Sequence, residues 1–428
     1  SNKEIKKELE ENIKLSQEIK KDLESLKEKV LTKKELGFQE KKQIKELLKK
    51  QKQLKQNMQD VNQKNKQKNQ LQNDFSPMSE ELLKKQEQLQ ELFEKVMSDE
   101  MKELMAEMEK MMEKMDDKKL MEQLEKMELS NEDVEKKLDR NLELFKQLEV
   151  EKQLKDAQDK LNKLREEQAQ IQKETEDKNS NTEELKEKQE EQNKEFESLK
   201  KDLSELKKKN EELEEPFKME DTESLEDQIK NDMKESAQSL GDKKKKKASE
   251  SQENAEEGME KLSNELSNMQ MEMESSNQVE NLEDLRALLE NLITLSFDQE
   301  NIMEDLKKID RTDPKYVELA QMQSKIKDDS KVVEDSLFAL SKRVIQLEAI
   351  VNREMTLINR NMEKAIDFLG ERNTAQANAR QQLSMTSINN LALILDEAIQ
   401  NMQKQMQSMM QSKGECKKPG SKPGGKPS

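Results

Sequence analysis

The residues of this chain that could carry chemistry are carboxylates, methionines, lysines and one cysteine, Cys416. The sequence has no histidine, which removes imidazole acid–base catalysis, Ser-His-Asp triads and histidine metal ligation. A single cysteine removes thiolate zinc sites and internal disulfides, and no glycine-rich phosphate loop is present. We therefore predict no catalytic, cofactor-binding or metal-binding residues, and we expect that the chain is not an enzyme.

Acidic pairs and a methionine stripe are the other patterns with chemical potential. The pairs at 116–117 and 328–329 lack the ligand spacing of a calcium loop, so solvated charge is the favoured interpretation. Apolar residues from Met97 to Met127 recur at spacings of four and three, as in a coiled-coil seam. An ordinary core is favoured over an adaptable client-binding groove, and both are favoured over a copper site.

The composition predicts a thin, all-α molecule. Of the residues, 40% are charged, 31% are hydrophobic and 2% are aromatic. A globule of this length would need more apolar groups to offset the entropy of ordering its backbone. The formal net charge of -17 argues against nucleic acid as a partner. The lysine run at 243–247 is favoured as part of a solvated linker.

Glycines, prolines and capping residues divide the pattern into segments. The capping signals are Ser79, the capping box at 130–133, Thr182, the Asp313-Pro314 pair and Gly370. They predict elongated coiled-coil helices and hairpins followed by an antiparallel bundle. The predicted segments are an N-terminal helical hairpin (1–75), Met/Leu-rich long helices (76–216), a mobile low-complexity charged linker (217–277), an antiparallel three-helix bundle (278–413) and a flexible Lys/Pro/Gly tail (414–428).

The predicted bundle has the most continuous apolar pattern. A seam of four–three spacing from Val333 to Leu369 predicts one long helix after Pro314. The helix that precedes Pro314 is expected to carry Ile293 on its apolar side and to be capped or bent by residues 296–299. In the last helix of the bundle, Leu383 is expected to point inward. Polar residues beside the seams are expected to fix register rather than bind a ligand; these are Asn352, Arg353, Asn359, Arg360, Asn389 and Asn390.

Several stretches resemble one known family. They are residues 295–300 (LSFDQE), 333–344 (VEDSLFALSKRV), 379–383 (ARQQL), 385–393 (MTSINNLAL) and 416–420 (CKKPG), with 129–133 (LSNED) and 142–148 (LELFKQL) upstream. This set resembles the large membrane-anchored proteins of unknown function found in Bacteroidota. The resemblance implies N-terminal transmembrane helices, a β-rich domain and a cell-envelope location. It implies no mechanism.

These observations lead to one expected function and two alternatives. The expected function is a non-enzymatic structural scaffold or protein-interaction region of an envelope protein. Its partners would be proteins or further copies of itself. The resemblance places this region in the periplasm, attached to the inner membrane through a missing N-terminal anchor, with the fragment itself soluble. The alternatives are a chaperone-like module with a methionine-rich groove and an accessory subunit of an enzyme complex.

Overall fold

The structure is a computed structural model, and it describes residues 1–31, 37–75, 79–97, 99–114, 117–310, 312–344, 347 and 349–415. Within these ranges every regular element is a helix, which confirms the predicted all-α class. The helices are α1 (Asn2–Leu31), α2 (Phe38–Phe75), α3 (Glu80–Glu94), α4 (Asp99–Lys114), α5 (Asp117–Glu176), α6 (Thr182–Glu211), α7 (Glu223–Gly241), α8 (Lys245–Lys308), α9 (Lys315–Ser341), α10 (Ala349–Gly370) and α11 (Thr374–Glu415).

Side-chain oxygens cap several of these helices, among them α9, where Asp313 accepts from the backbone N–H of Lys315 at 2.8 Å. Ser79 accepts a hydrogen bond from the backbone N–H of Leu82 at the start of α3, as predicted. At the start of α6 the capping side chain is Asn181, which accepts from the N–H of Glu183, and not Thr182. Asparagine caps a helix at least as well as threonine, so the pattern was correct to within one residue.

The chain divides into two compact units. Unit 1 contains Ser1–Glu18, Lys49–Ser98 and Asn141–Asn277, and unit 2 contains Ile19–Leu48, Asp99–Arg140 and Gln278–Ser428. Each unit is assembled from separated stretches of sequence, because long helices such as α5 and α8 contribute to both. The predicted boundaries at 75 and 216 therefore do not coincide with the boundaries of these units.

Unit 1 contains an antiparallel arrangement of α5, α6, α7 and α8, which we call the N-module (141–277). Antiparallel pairing of α5 with α6 follows from two contacts, Lys188 Nζ to Glu174 Oε2 at 2.8 Å and Lys160 Nζ to Asp202 Oδ2 at 2.8 Å. Gln158 of α5 donates to the carbonyl of Leu266 on α8. The apolar core of the N-module consists of Leu, Ile, Val, Ala, Met and Phe side chains from these helices.

A buried glutamine layer crosses the N-module. Gln168 and Gln189 exchange two amide hydrogen bonds of 3.0 and 2.9 Å. The Gln189 oxygen also accepts from the Gln252 amide at 3.0 Å and from the Ser236 hydroxyl at 3.1 Å. All four side chains are fully buried. Gln189 is thus the hub of a layer that joins α5, α6, α7 and α8.

Unit 2 contains the C-module (278–415), formed by the second part of α8 with α9, α10 and α11. Gln299 and Gln323 exchange two hydrogen bonds of 2.8 Å, and the Gln381 amide donates to the Gln323 oxygen at 2.7 Å. These three side chains are also fully buried. Gln323 is therefore the hub of a second glutamine layer. Its reciprocal pair with Gln299 corresponds to the pair of Gln189 with Gln168, and the third donor Gln381 corresponds to Gln252.

The two modules repeat one plan along most of their length. The final helices match at a constant numbering shift, so that buried Ala248, Gln252, Leu262 and Leu266 correspond to buried Ala377, Gln381, Leu391 and Leu395. The same shift matches Ile229, Met233 and Leu240 of α7 with Ile358, Met362 and Leu369 of α10. On the first two helices, the buried matches are Leu154 with Leu285, Leu161 with Leu292, Leu164 with Leu295, Leu203 with Leu337 and Leu206 with Leu340. The chain thus contains an internal repeat of a four-helix unit.

The turns before the last helix of each module match as well. Residues 240–243 read LGDK and residues 369–372 read LGER. In each turn the basic residue is left-handed, with φ of 56° at Lys243 and 55° at Arg372. The backbone N–H of the next residue then donates a hydrogen bond back across the turn. Lys244 donates to the Ser239 carbonyl and Asn373 to the Phe368 carbonyl, both at 2.8 Å. Gly370, predicted to be the first residue after the helix, is instead the last residue of α10, and the left-handed position falls two residues later at Arg372.

The predicted linker at 217–277 is helical in the structure. It contains α7 and the first part of α8, and its apolar residues Ile229, Met233, Met259 and Leu262 are at most 1% exposed. The narrow stripe that they form packs in the N-module core. Most of the abundant Ser, Glu and Lys residues of this stretch lie on the outer faces, and this polar composition is what predicts a mobile linker. In its lysine run, Lys245 Nζ donates to the carbonyls of Asp177 and Ser180, and Lys247 pairs with Glu235.

The predicted three-helix bundle contains four helical segments within its described residues. The single helix expected after Pro314 is instead α9 and α10, separated by a turn after Ser341. Val344 and Leu347 in this turn remain buried, so the four–three spacing continues across the break and hid it. The capping box at 130–133 lies inside α5, where Asn131 is fully buried, and residues 296–299 lie inside α8 without ending it.

Candidate interaction surface

The surfaces of the two modules differ more than their cores. Among the described residues of the N-module, the large hydrophobic side chain that is strongly exposed is Met271. The C-module exposes many more, namely Val279, Ile293, Phe297, Val317, Met322, Val332, Leu383 and Leu393. Exposed Ile293 and Leu383 contradict their predicted inward positions. An exposed apolar group marks a candidate contact surface when several such residues adjoin.

Three of these residues lie within four residues of one hydrogen bond between α8 and α11. Ile293 and Phe297 are four residues apart, so they share one face of α8. The Ser296 hydroxyl donates to Asn389 Oδ1 at 2.9 Å, which holds α8 beside α11 at this level. Leu393 follows Asn389 by one turn on the same side of α11. We call Ile293, Phe297 and Leu393 the apolar patch; they are 45%, 62% and 70% exposed.

Carboxylates surround the apolar patch. Glu290, Glu300 and Glu304 lie within one or two helical turns of Ile293 and Phe297, and Asp396 and Glu397 follow Leu393. We call these five residues the acidic rim. Residues 287–306 of α8 and 381–403 of α11 contain no lysine or arginine. The rim therefore presents net negative charge; one basic residue that pairs with it is Lys308, just beyond the first stretch, which lies 3.9 Å from Glu304.

The repeat supplies a control for this surface. At the matching positions of the N-module, Ile293, Phe297 and Leu393 are replaced by Asn162, Glu166 and Asn264. The matching stretches also carry basic residues that the C-module lacks, namely Lys160, Lys163, Arg165, Lys173 and Lys261. The same helical plan forms with polar residues and mixed charge at these positions. The apolar patch is therefore not required by the fold.

Unit 1 carries a surface of the opposite sign. Six lysines and three glutamates line an open cleft of about 490 Å³ between α1, α5 and α6. Glu149 pairs with Lys209 at 2.7 Å, Glu205 pairs with Lys209 at 3.2 Å, and Glu212 pairs with Lys6. The other lining lysines include Lys3, Lys201 and Lys208, which form no ion pair with the described residues. The cleft is thus net cationic.

Ion pairing inside this cleft keeps its groups charged. Burial lowers the pKa of Lys209, but hydrogen bonds to Glu149 and Glu205 and their charges outweigh burial, so its pKa is raised. The hydrogen bond from Lys6 lowers the pKa of Glu212. Both pKa shifts reflect ion pairs that stabilise the charged forms of Lys209 and Glu212. A proton-transfer pair would instead need shifts that favour the neutral forms.

A second lysine environment lies beside that cleft. Lys68 lies 5.0 Å from the centroid of the Phe145 ring, next to Lys152 and Glu149 in a small polar cavity. Burial, with repulsion from Lys152, lowers the pKa of Lys68 to about 8. The neighbouring side chains are mainly amides, so the cavity lacks a partner for nucleophilic chemistry among the described residues. The arrangement is that of a desolvated lysine packed on an aromatic ring.

The other predicted positions fall in structural roles or outside the described residues. Met101, Met105 and Met108 are at most 5% exposed and belong to the interior, whereas Met115 lies outside the described residues. Asn359 donates to Glu334 at 2.7 Å, a contact between α9 and α10 that suits its predicted role in register. Asp328 and Asp329 are exposed, and no group of possible metal ligands occurs among the described residues. Asp116 and Cys416 lie outside those residues.

The sequence pattern alone does not reveal the apolar patch, because large apolar residues on a helix are normally assigned to its buried stripe. Ile293 is adjacent to Leu292 and was assigned to the same stripe, and Phe297 was read as part of a break. A sequence signal was nevertheless present, since both residues fall outside the four–three spacing of Leu285, Leu288, Leu292 and Leu295. The internal repeat would have identified both, because the matching positions in the N-module are polar.

The chain was compared with family models, curated proteins and solved structures, and none of them matches it. Among its described residues, no helix is long and apolar enough to cross a membrane.

Proposed function

We propose that this chain is a non-enzymatic helical scaffold that presents a protein-interaction surface on its C-module. The observation that carries the proposal is the apolar patch, which is exposed in the C-module and replaced by polar residues in the matching N-module. A repeat that keeps its core but changes one surface points to selection for contact at that surface. The buried glutamine layer around Gln323 supports the proposal, because it holds the supporting helices in one register.

The proposed location is the cell envelope, with this region in the periplasm and attached to the inner membrane. Support comes from the resemblance of residues 295–300, 333–344, 379–383 and 385–393 to membrane-anchored proteins of Bacteroidota. In that location, long helices would hold the C-module away from the membrane and make it accessible to a partner. Fractionation of native cells, followed by protease treatment of intact spheroplasts, tests this placement.

A crosslinked pull-down from native cells tests the scaffold proposal. The full-length protein and a variant lacking 279–412 are compared, with an equal expression level checked by immunoblot. We expect a defined set of partner proteins that the variant loses. An identical set from both proteins would reject the C-module as the interaction region. Hydrolysis of a nucleotide by the chain after stringent purification would reject the non-enzymatic assignment and favour a role within an enzyme complex.

The burial of Met101 and Met108 gives no support to a chaperone-like methionine groove. A client could reach these side chains only if the helices around them separated. Replacing both with leucine preserves an apolar core and removes the flexible thioethers. A loss of client binding in that variant, with unchanged helicity, would reinstate this alternative.

A further inference from the structure

We propose that the apolar patch binds a positively charged amphipathic helix of a partner protein. This inference rests on the proposed interaction function and names the site and the chemistry of its occupant. The first argument is composition. Ile293, Phe297 and Leu393 are large, exposed and close to the Ser296–Asn389 contact in sequence, whereas the matching N-module positions show that Asn and Glu are compatible with this fold.

The shape of the site favours a helix as the occupant. α8 and α11 lie side by side at the Ser296–Asn389 hydrogen bond, and the patch residues lie on the outer faces of the two helices within four residues of it. A third helix can pack against such a pair of helices with its own apolar residues at spacings of three and four. The patch would contact about two turns of the bound helix, and Phe297 would be the aromatic anchor of the patch.

Charge selects among possible occupants. The acidic rim of Glu290, Glu300, Glu304, Asp396 and Glu397 favours lysine or arginine beside the apolar face of the bound helix. An anionic membrane surface would be repelled by the same carboxylates. A second copy that docked the same patch in a two-fold contact would place rim against rim, so self-association is also disfavoured. A basic amphipathic helix satisfies both the patch and the rim.

The N-module provides a matched set of test substitutions. In the patch variant, Ile293→Asn, Phe297→Glu and Leu393→Asn introduce the residues that the matching positions already contain. In the control variant, Val317→Glu, Val332→Ser and Leu383→Asn do the same at exposed apolar positions away from the patch. Both variants remove three apolar side chains and add one carboxylate and two neutral polar groups, so the main difference between them is position. Equal thermal melting of the two variants and the unmodified chain establishes that folding is retained.

The binding experiment uses the whole chain and two synthetic peptides of about 18 residues, one with Leu/Lys and one with Leu/Glu amphipathic patterns. Fluorescence anisotropy at low salt should show that the Leu/Lys peptide binds the unmodified chain and the control variant alike. The patch variant should bind it at least about tenfold more weakly. The substitutions Glu290→Gln, Glu300→Gln and Glu304→Gln should weaken binding and reduce its salt dependence. Equal binding of the Leu/Lys peptide by the patch and control variants would overturn the proposal. The proposal would also be overturned if the unmodified chain bound the Leu/Glu peptide as tightly as the Leu/Lys peptide.

A photo-crosslinking residue at position 297 of the full-length protein then tests the site in native cells. The expected product joins position 297 to a segment with basic residues flanking an apolar helical stripe. A crosslink to another copy of this chain, or to an acidic segment, would overturn the proposed occupant. If deletion of 279–412 removes the partners and the patch variant keeps them, the scaffold function stands and this site is wrong. If neither change affects the partners, both proposals fail.

Discussion

The N-module and the C-module use one four-helix plan with different surfaces. Their buried glutamines, leucines and turn sequences correspond position by position, but their exposed residues do not. The N-module has polar residues and mixed charge where the C-module has an apolar patch with an acidic rim. A position that stays the same in both modules is explained by folding, and a position that changes from polar to apolar on the surface needs another explanation.

The largest difference in stability should follow from removing the two hub glutamines. Gln189→Ala leaves the Gln168 and Gln252 amides and the Ser236 hydroxyl without their partner, whereas Gln323→Ala affects only the Gln299 and Gln381 side chains. Each buried polar group left unpaired costs about 1–3 kcal/mol. We expect a loss of roughly 3–6 kcal/mol in the N-module and a smaller loss in the C-module. Urea unfolding with segment-resolved hydrogen exchange measures both.

A matched variant separates pairing from packing in this prediction. Replacing Gln299, Gln323 and Gln381 together with leucine removes every member of the layer, so no polar group is left unpaired. Such a variant should lose much less stability than Gln323→Ala. If the single and triple variants lose the same stability, the layer acts through packing volume and the hydrogen-bond argument is wrong.

One matched position carries opposite charge in the two modules, because Glu334 matches Lys200 in the repeat, and each residue loses its own contribution at a different end of the pH range. Burial raises the pKa of Glu334, but hydrogen bonds and charge from Lys136 and Lys331 outweigh it, so the pKa is lowered. A lowered carboxyl pKa stabilises the folded state above the unfolded value and loses that contribution as pH falls. Glu334→Gln should therefore cost roughly 2 kcal/mol at neutral pH and less in acid.

The matching lysine provides the comparison. Burial lowers the pKa of Lys200, but its hydrogen bond to Asp227 and nearby carboxylates outweigh burial, so its pKa is raised. A raised lysine pKa stabilises the folded state at neutral pH and loses that contribution as pH rises through the folded pKa. Lys200→Met should have a smaller effect, since Asp227 is largely exposed. Hydrogen exchange of α9 in acid, compared between the unmodified chain and Glu334→Gln, and of α6 in alkali, compared between the unmodified chain and Lys200→Met, measures the two effects. A pH dependence that either substitution leaves unchanged would contradict the assignment of that residue.

A close helix contact distinguishes the modules on a smaller scale. A Cβ added at Gly258 would lie 2.6 Å from Ile229 Cγ1, whereas the matching residue in the C-module is Ser387. Gly258→Ala should destabilise the N-module by about 1–2 kcal/mol although alanine favours helices. Ser387→Ala should have little effect. In an Ile229→Ala background the penalty at Gly258 should disappear, and a persistent penalty would locate its cause elsewhere than in this contact.

The fold class and the positions of most buried residues could be predicted from spacing alone. Spacing could not show that Ser341 ends a helix, because Val344 and Leu347 continue the apolar pattern through the turn. Composition was misleading at 217–277, where a narrow stripe of Ile229, Met233 and Met259 is sufficient to pack in a core. The candidate surface depended on comparing modules, because Ile293 and Phe297 look like core residues when α8 is read by itself.

The smallest expected effect concerns the left-handed turn that both modules share. Lys243 and Arg372 have positive φ, a conformation in which a side chain costs about 1 kcal/mol and glycine does not. Lys243 is exposed, so Lys243→Gly should stabilise the N-module by roughly 0.5–1 kcal/mol. Arg372 lies 5.6 Å from the Tyr316 ring centroid, so Arg372→Gly also loses that contact and should gain less. Thermal melts of both variants decide the point: a larger gain at Arg372 would mean that the ring contact contributes nothing, and no gain at Lys243 would mean that the left-handed turn is not strained.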